Sequence, residues 1–177
     1  MEFEQVLQGR RSIRKYNSDV VSHELIEKII QAAIYAPSWK NAQTTRYYVA
    51  DGEAKNELAQ CLPEFNQKNV ENAPVIIVST TVTKRSGYNR QGEPDSHLGS
   101  GFQYFDNGLQ IENLCLAAYN LGLGTLIMGL YDNEGIRAFF DIPENEEVVA
   151  VIALGYADIE VEMPKRKKVE EVIKYKC

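Results

Sequence analysis

The twenty positions from Phe102 to Leu121 constrain this chain more than any others. Phe102, Phe105, Leu109, Ile111, Leu114, Cys115, Leu116, Ala117, Ala118, Tyr119 and Leu121 predict a helix with almost no polar face in its second half. A helix apolar all round has to be covered, either at the centre of the fold or against another copy. Gly122 and Gly124 are expected to end it. Two other segments carry the same message in β form. Val75–Val82 is a continuous β-branched run and Val148–Leu154 is wholly apolar, the pattern of strands covered on both faces.

Around these, helices are predicted at 3–9, from Ser22 as N-cap to about Ala36, at 53–62 and at 133–140. Strands are predicted at 45–50 and 125–130. Pro37 and Pro63 act as stops. The order shows no strict βαβ alternation, so α+β is the expected class. A length of 177 residues fits one domain spanning 1–177, with no repeat and no linker. Thr83 to Gly101 holds Gly87, Gly92, Pro94, Gly99 and Gly101 among polar residues without periodicity. A loop of that length in a compact domain reads as a lid or binding loop, or as mobile surface.

The net charge is −6, which argues against a nucleic-acid partner. Against that background the cations are unevenly spread. Of 19 Lys and Arg, four lie in Arg10-Arg11-Ser12-Ile13-Arg14-Lys15 and four in Lys165-Arg166-Lys167-Lys168. Each cluster alone reads as solvated charge, but arginine forks also suit phosphate. Pro37-Ser38-Trp39-Lys40-Asn41-Ala42-Gln43 gathers amides and the only Trp behind a helix stop, a donor and acceptor set suited to a pyrimidine-like ring.

Other chemistries find little support. Cys61, Cys115 and Cys177 form no C-x-x-C pair and are odd in number, as expected in a reducing cytoplasm. Cys177 reads as an incidental exposed thiol. His23 and His97 are too few for a zinc site. His23 reads as surface at a helix start, and His97 as part of the polar loop. The N-terminus has neither a basic nor an apolar leader region, and no run approaches the length of a membrane span. Gly122-Leu123-Gly124-Thr125-Leu126-Ile127-Met128-Gly129 lacks the spacing of a dinucleotide fingerprint and the Lys of a P-loop. Its glycines are expected to cap the long helix and let backbone approach a ligand.

Taken in order, Arg10-Arg11-Ser12-Ile13-Arg14, Pro37-Ser38-x-x-Asn41-x-Gln43, the apolar helix running into Gly122-Leu123-Gly124-Thr125, and the basic segment before Val169-Glu170-Glu171-Val172-Ile173 resemble the nitroreductase family. The resemblance covers nearly the whole chain. It implies a central, mainly antiparallel sheet flanked by helices, a homodimer formed through long helices, and two FMN sites between the copies. Arg10, Ser12 and Arg14 would then meet the FMN phosphate, ribityl chain or pyrimidine edge, with Arg11 at the same place. Pro37, Ser38, Asn41 and Gln43 would come from the second copy. Asn66 would face the ring, Met128 and Gly129 would offer backbone near its redox edge, and Arg166 and Lys167 would complete the phosphate site. Arg14 is the candidate for stabilising charge on the reduced ring.

Two places depart from the family pattern: Lys168 stands where a proline is usual, and Thr44-Thr45 replaces Pro-Trp. The resemblance implies that NADH or NADPH reduces FMN and leaves before a nitroaromatic, quinone or similar small acceptor is reduced in turn. The residues themselves leave two alternatives open, a flavin-storing or sensing protein without turnover and an anion-binding protein without flavin. Neither the physiological acceptor nor a preference between the two nicotinamides is legible.

Overall fold

A computed structural model describes residues 1–176. In chain order the elements are α1 (Phe3–Gly9), α2 (His23–Ala33), β1 (Thr45–Asp51), α3 (Gly52–Leu58), α4 (Glu64–Val70), β2 (Val75–Val82), α5 (Gly101–Asn120), β3 (Gly124–Met128), α6 (Asn133–Phe140), β4 (Glu146–Gly155) and α7 (Val169–Val172). Short 3-10 turns lie at Trp39–Asn41 and Ala59–Cys61. Cys177 lies outside the described residues. None of the helices described is long and apolar enough to cross a membrane.

The four strands form one antiparallel sheet in the order β1-β2-β4-β3. The two wholly apolar runs are its central pair. One face carries Leu58, Leu62, Val70, Ile76, Val78, Leu126, Ile136, Val151 and Ala153, under α3, α4 and α6. The other carries Ile26, Ile29, Ile77, Leu114, Ala118, Ile152 and Leu154, under α2 and α5. With both faces covered, β2 and β4 have no polar side to show, which is why their sequences do not alternate.

Helix ends follow local chemistry. The Ser22 hydroxyl accepts from Leu25 N–H at 3.3 Å and starts α2 as expected. The helix stops at Ala33 rather than Ala36, and its last turn tightens through Tyr35 N–H to Ala32 O and Ala36 N–H to Ala33 O. The residue before Pro37 is disfavoured in the α conformation, so the helix winds down early. The 53–62 segment splits likewise. It is helical to Leu58, passes through a 3-10 turn, and becomes extended at Leu62 before Pro63. Pro63 then caps α4, which the sequence pattern missed because its buried positions include Asn66 as well as Val70.

The long helix has a different character from its expected one. Its first half buries Gln103, Asp106, Asn107 and Gln110, and turns Tyr104 and Phe105 outward. The polar side chains answer a polar stretch of β2. The Asn107 amide donates to Ser79 Oγ at 2.8 Å and to Thr80 O at 3.0 Å, where the β2–β4 register shifts between Ser79 and Thr80. A bulge disrupts the ladder locally, and the Asn107 amide adds a side-chain donor at that place.

On the far side of β2, Glu146 Oε2 accepts from Thr80 Oγ1 at 2.6 Å and from the Tyr48 hydroxyl at 2.9 Å. Burial, followed by this hydrogen bond, pushes the Tyr48 hydroxyl up to about 12. A raised folded-state value means that the neutral hydroxyl stabilises fully below about pH 10, and that this contribution fades as pH rises toward 12. Urea stability is therefore expected to fall above pH 10, with a shallower fall in Tyr48→Phe. Parallel slopes for the two proteins would remove this explanation.

Candidate functional site

The first basic cluster follows α1 as an extended segment laid along the outer edge of β3. Ile13 N–H donates to Thr125 O at 2.9 Å, Ser12 and Thr125 form a parallel bridge, and Asn17 N–H donates to Tyr156 O at 3.0 Å. Ile13 and Tyr16 point into the core, and the buried Tyr16 hydroxyl donates to Ile13 O at 2.9 Å. Anchoring these two leaves Ser12 half-buried and Arg14 exposed.

Gly124 makes the close approach possible, since a Cβ there would lie 2.6 Å from Ile13 Cγ1. The expected close approach to a ligand is thus an approach to this chain's own Ile13. Gly122, with φ +82°, is the residue that ends α5. Gly124→Ala is expected to lower stability by about 1–3 kcal/mol through overpacking, read as a shift in urea midpoint. An unchanged midpoint would mean that the segment gives way freely.

The arginines divide. Arg10 is mostly covered and has one loose acidic neighbour among the described residues, Glu112, with Nε 3.9 Å from Oε1. Arg14 donates to Ser12 O at 3.4 Å. Arg11 does not share their surroundings, because its guanidinium donates to Gln8 O at 2.5 Å, Arg10 O at 2.8 Å and Val161 O at 3.2 Å. It ties the C-terminal tail to the end of α1.

The parallel bridge sets the segment beside the start of β3, whose far end leads through Met128 to Gly129. At that end Asn66, on the buried side of α4, donates its amide to Leu130 O at 3.4 Å while its Oδ1 accepts from Asn69 at 3.3 Å. The structure thus sets Ser12 beside the start of β3, with Arg10 and Arg14 flanking it in sequence, and Asn66, Met128 and Gly129 at the far end of that strand.

Pro37–Gln43 lies at the other edge, leading into β1. Lys40, Asn41 and Gln43 have φ values of +46°, +57° and +49°. Left-handed non-glycine residues are strained by roughly 1–3 kcal/mol each and persist only where their surroundings hold them. Side-chain contacts help to hold this loop. Trp39 N–H donates to Asp106 Oδ2 at 2.9 Å, Gln43 N–H donates to Ser38 Oγ at 3.0 Å, and Arg46 donates to Gln43 O at 2.9 Å. The Asn41 and Gln43 side chains are exposed. Three strands, β2, β4 and β3, separate this loop from the basic segment, on the order of 19 Å across the sheet. One copy of the chain does not bring the two together.

The tail is only partly gathered in. Ala157 bridges Tyr16, Asp158 N–H donates to Lys15 O at 3.0 Å, and Val161 meets Arg11. Beyond it Arg166 and Lys167 are exposed, with no ion pair or hydrogen bond to the first cluster among the described residues. Lys168 caps the short α7 through its N–H to Glu171 Oε2 at 2.7 Å. The two basic clusters therefore stand as neighbours along the tail and not as one assembled site within a single chain.

The remaining candidates are quiet. Burial pushes the Cys61 and Cys115 thiols up, away from the thiolate form. His23 is exposed and pairs with Asp51 Oδ2 at 2.7 Å.

Sequence reasoning missed two parts. Asp106, 2% exposed on α5, accepts from Trp39 N–H and also from Ser86 Oγ at 2.5 Å, so it joins the amide loop to the 83–101 loop. It was hidden in a helix read as apolar. The 83–101 loop itself is built, with Asp95 N–H donating to Gly87 O at 2.8 Å and the Asn89 Oδ1 accepting from Gln91 and Glu93 N–H. Between it and Trp39–Ala42 opens a cleft of about 1100 Å³.

The sequence profile of the nitroreductase family matches residues 7–64 and 60–156. A Methanothermobacter thermautotrophicus protein provisionally named an NADH dehydrogenase/NAD(P)H nitroreductase is 34% identical, over 88% of this chain and 78% of its own. The NADPH-flavin oxidoreductase of Vibrio harveyi is 30% identical, over 93% of this chain and 70% of its own. Among solved structures, one from Exiguobacterium sibiricum in complex with FMN superposes with a TM-score of 0.86 at 25% identity, covering 99% of this chain and 98% of that one.

Proposed function

The chain belongs to the nitroreductase family, and from that premise we propose that it is an FMN-dependent NAD(P)H oxidoreductase working as a homodimer in the cytoplasm. The observation that carries the dimer is the placement of the two half-sites. Arg10–Arg14 and Pro37–Gln43 lie at opposite edges of one sheet, so a single copy cannot close both around one ligand, whereas two copies facing each other can. A surface for that contact is present. Phe105 is 59% exposed and Leu109 and Leu116 half-buried on the outer side of α5, beside the exposed Phe3 and Leu7 of α1. Apolar side chains in such a row mark an interaction surface.

The residues fit FMN by their chemistry. Arg10 and Ser12 offer a guanidinium and a hydroxyl to phosphate, and Arg10 has only a loose carboxylate to leave. Asn66, Met128 and Gly129 offer an amide and backbone groups farther along the same edge. The second copy's Pro37, Ser38, Asn41 and Gln43 supply the facing wall, and Arg166 and Lys167 add positive charge from the tail that Arg11 anchors. Arg11 itself is committed to three carbonyls and serves as that anchor.

FMN, when bound, would supply hydride chemistry between a nicotinamide and a second substrate such as a nitroaromatic or quinone. The protein holds the ring, excludes water and places Arg14 where negative charge arrives. No side-chain nucleophile is needed.

Absorbance of the purified protein, before and after anaerobic NADH or NADPH, tests the reading. Yellow protein that bleaches supports it. Persistent colour identifies a binder without turnover, and protein that stays colourless with added FMN defeats it. Phe105→Asp with Leu109→Glu is expected to yield monomers by light scattering and to release flavin. A flavin-loaded monomer would remove the argument from the two half-sites.

A further inference from the structure

We propose that the cleft between residues 84–95 and Trp39–Ala42 binds the adenosine-phosphate end of the nicotinamide reductant, and that the protein therefore prefers NADPH to NADH. The proposal rests on the flavin reading above and adds the identity of the donor and its place. The cleft measures about 1100 Å³, and Lys40, Lys84, Arg85 and Arg90 line it against one carboxylate, Asp95. Lys40 is already paired with Asp95. Lys84, Arg85 and Arg90 are exposed and make no ion pair within 4 Å among the described residues. Three cations without an ion pair thus fall within seven positions of a chain of net charge −6.

The wall that presents them is built in place. Ser86, fully buried, is fastened to Asp106, and the turn beyond it closes through Tyr88 and Pro94 and through Asn89 N–H to Glu93 O at 2.9 Å. The Trp39 ring, fixed against Phe102 with centroids 4.4 Å apart, and Tyr88 give the same cleft aromatic surface. Cations in fork geometry beside aromatic faces suit a phosphorylated nucleoside: guanidinium pairs with phosphate and the base stacks.

Size and charge choose among the ligands of such an enzyme. A nitroarene or quinone has no fixed anion, and the cleft is at the upper end of what drug-sized ligands fill. NADPH has a pyrophosphate and a further phosphate on its ribose, which is where it differs from NADH. The cleft opens beside Asn41, on the loop assigned to the facing copy's flavin, so a donor anchored here by its phosphates can extend its nicotinamide to that ring.

The test is calorimetric titration of the purified protein, as isolated, with 2′,5′-ADP. Binding is expected, competed by inorganic phosphate and weakened by added salt. Arg85→Ala/Arg90→Ala should weaken it about tenfold or more, as expected for lost hydrogen bonds between charged groups. Arg85→Lys/Arg90→Lys should recover part. In turnover the Ala pair should raise KM for NADPH about tenfold more than for NADH, at an unaltered flavin-to-protein ratio. Absence of 2′,5′-ADP binding, or binding indifferent to the Ala pair, overturns the proposal. So does a rise in KM confined to an anionic acceptor such as 4-nitrobenzoate, which would make the cleft an acceptor site. Yellow, reducible protein that ignores 2′,5′-ADP defeats this inference alone. Colourless protein that binds it in an arginine-dependent way defeats the flavin reading alone.

Discussion

Arg10→Ala is expected to strip flavin from the protein while leaving the fold intact. Arg10 is held at the end of α1 with its guanidinium mostly covered, and its one acidic neighbour among the described residues is Glu112 at 3.9 Å. That distance is long for an ion pair, so the guanidinium keeps its donors for another anion. A charge-assisted contact to phosphate contributes about 1.5–3 kcal/mol, so FMN retention should weaken roughly 10- to 150-fold. Stability without flavin should barely change, because Glu112 is 55% exposed and returns to water without a partner. Arg10→Lys keeps the charge and loses the fork, and should fall between. Flavin absorbance relative to protein after exhaustive dialysis is the measurement, with a melting curve of the flavin-free protein as control. Full retention by Arg10→Ala would move the phosphate elsewhere.

Asp106→Ala should lower both stability and flavin content. The carboxylate is 2% exposed and accepts from Trp39 N–H at 2.9 Å and Ser86 Oγ at 2.5 Å. Removing it leaves two buried donors unpaired, with a loss of about 2–4 kcal/mol. For a chain of this size that corresponds to a melting temperature lower by roughly 5–15 °C. The effect reaches the site because Trp39 begins the loop in which Lys40, Asn41 and Gln43 hold left-handed backbone. Once Trp39 is released, that strain has fewer contacts opposing it and the amides lose their fixed direction. Asp106→Asn retains an acceptor and should lose about half as much. A melting temperature for Asp106→Ala within 2 °C of wild type would show that the two loops hold themselves.

Much of the fold was readable before any coordinates. β2 and β4 stand where continuous apolar runs placed them, and α1, α5 and α6 are within a residue or two of their expected bounds. The failures have local causes. α4 has too few apolar positions to show a helical period, and α2 and α3 end early because a following proline acts backward on its predecessor. Reading α5 as an apolar rod overlooked Gln103, Asp106, Asn107 and Gln110, whose burial makes sense only once β2 brings Ser79 and Thr80 to them.

The candidate site divides along the same line. Residue types and their order were enough to point to phosphate and to a ring with donors and acceptors, because guanidinium and amide chemistry is written in the side chains themselves. Three things were decided by tertiary structure. Arg11 was diverted to Gln8, Arg10 and Val161 carbonyls; the amide loop and the basic segment were set at opposite edges of the sheet; and Lys84, Arg85 and Arg90 were mounted on a built turn facing Trp39. Hydrophobic period and capping act over a few residues, so sequence carries them directly. Strand order and the direction of a guanidinium depend on contacts between positions as far apart as Arg11 and Val161, which exist only after the chain has packed.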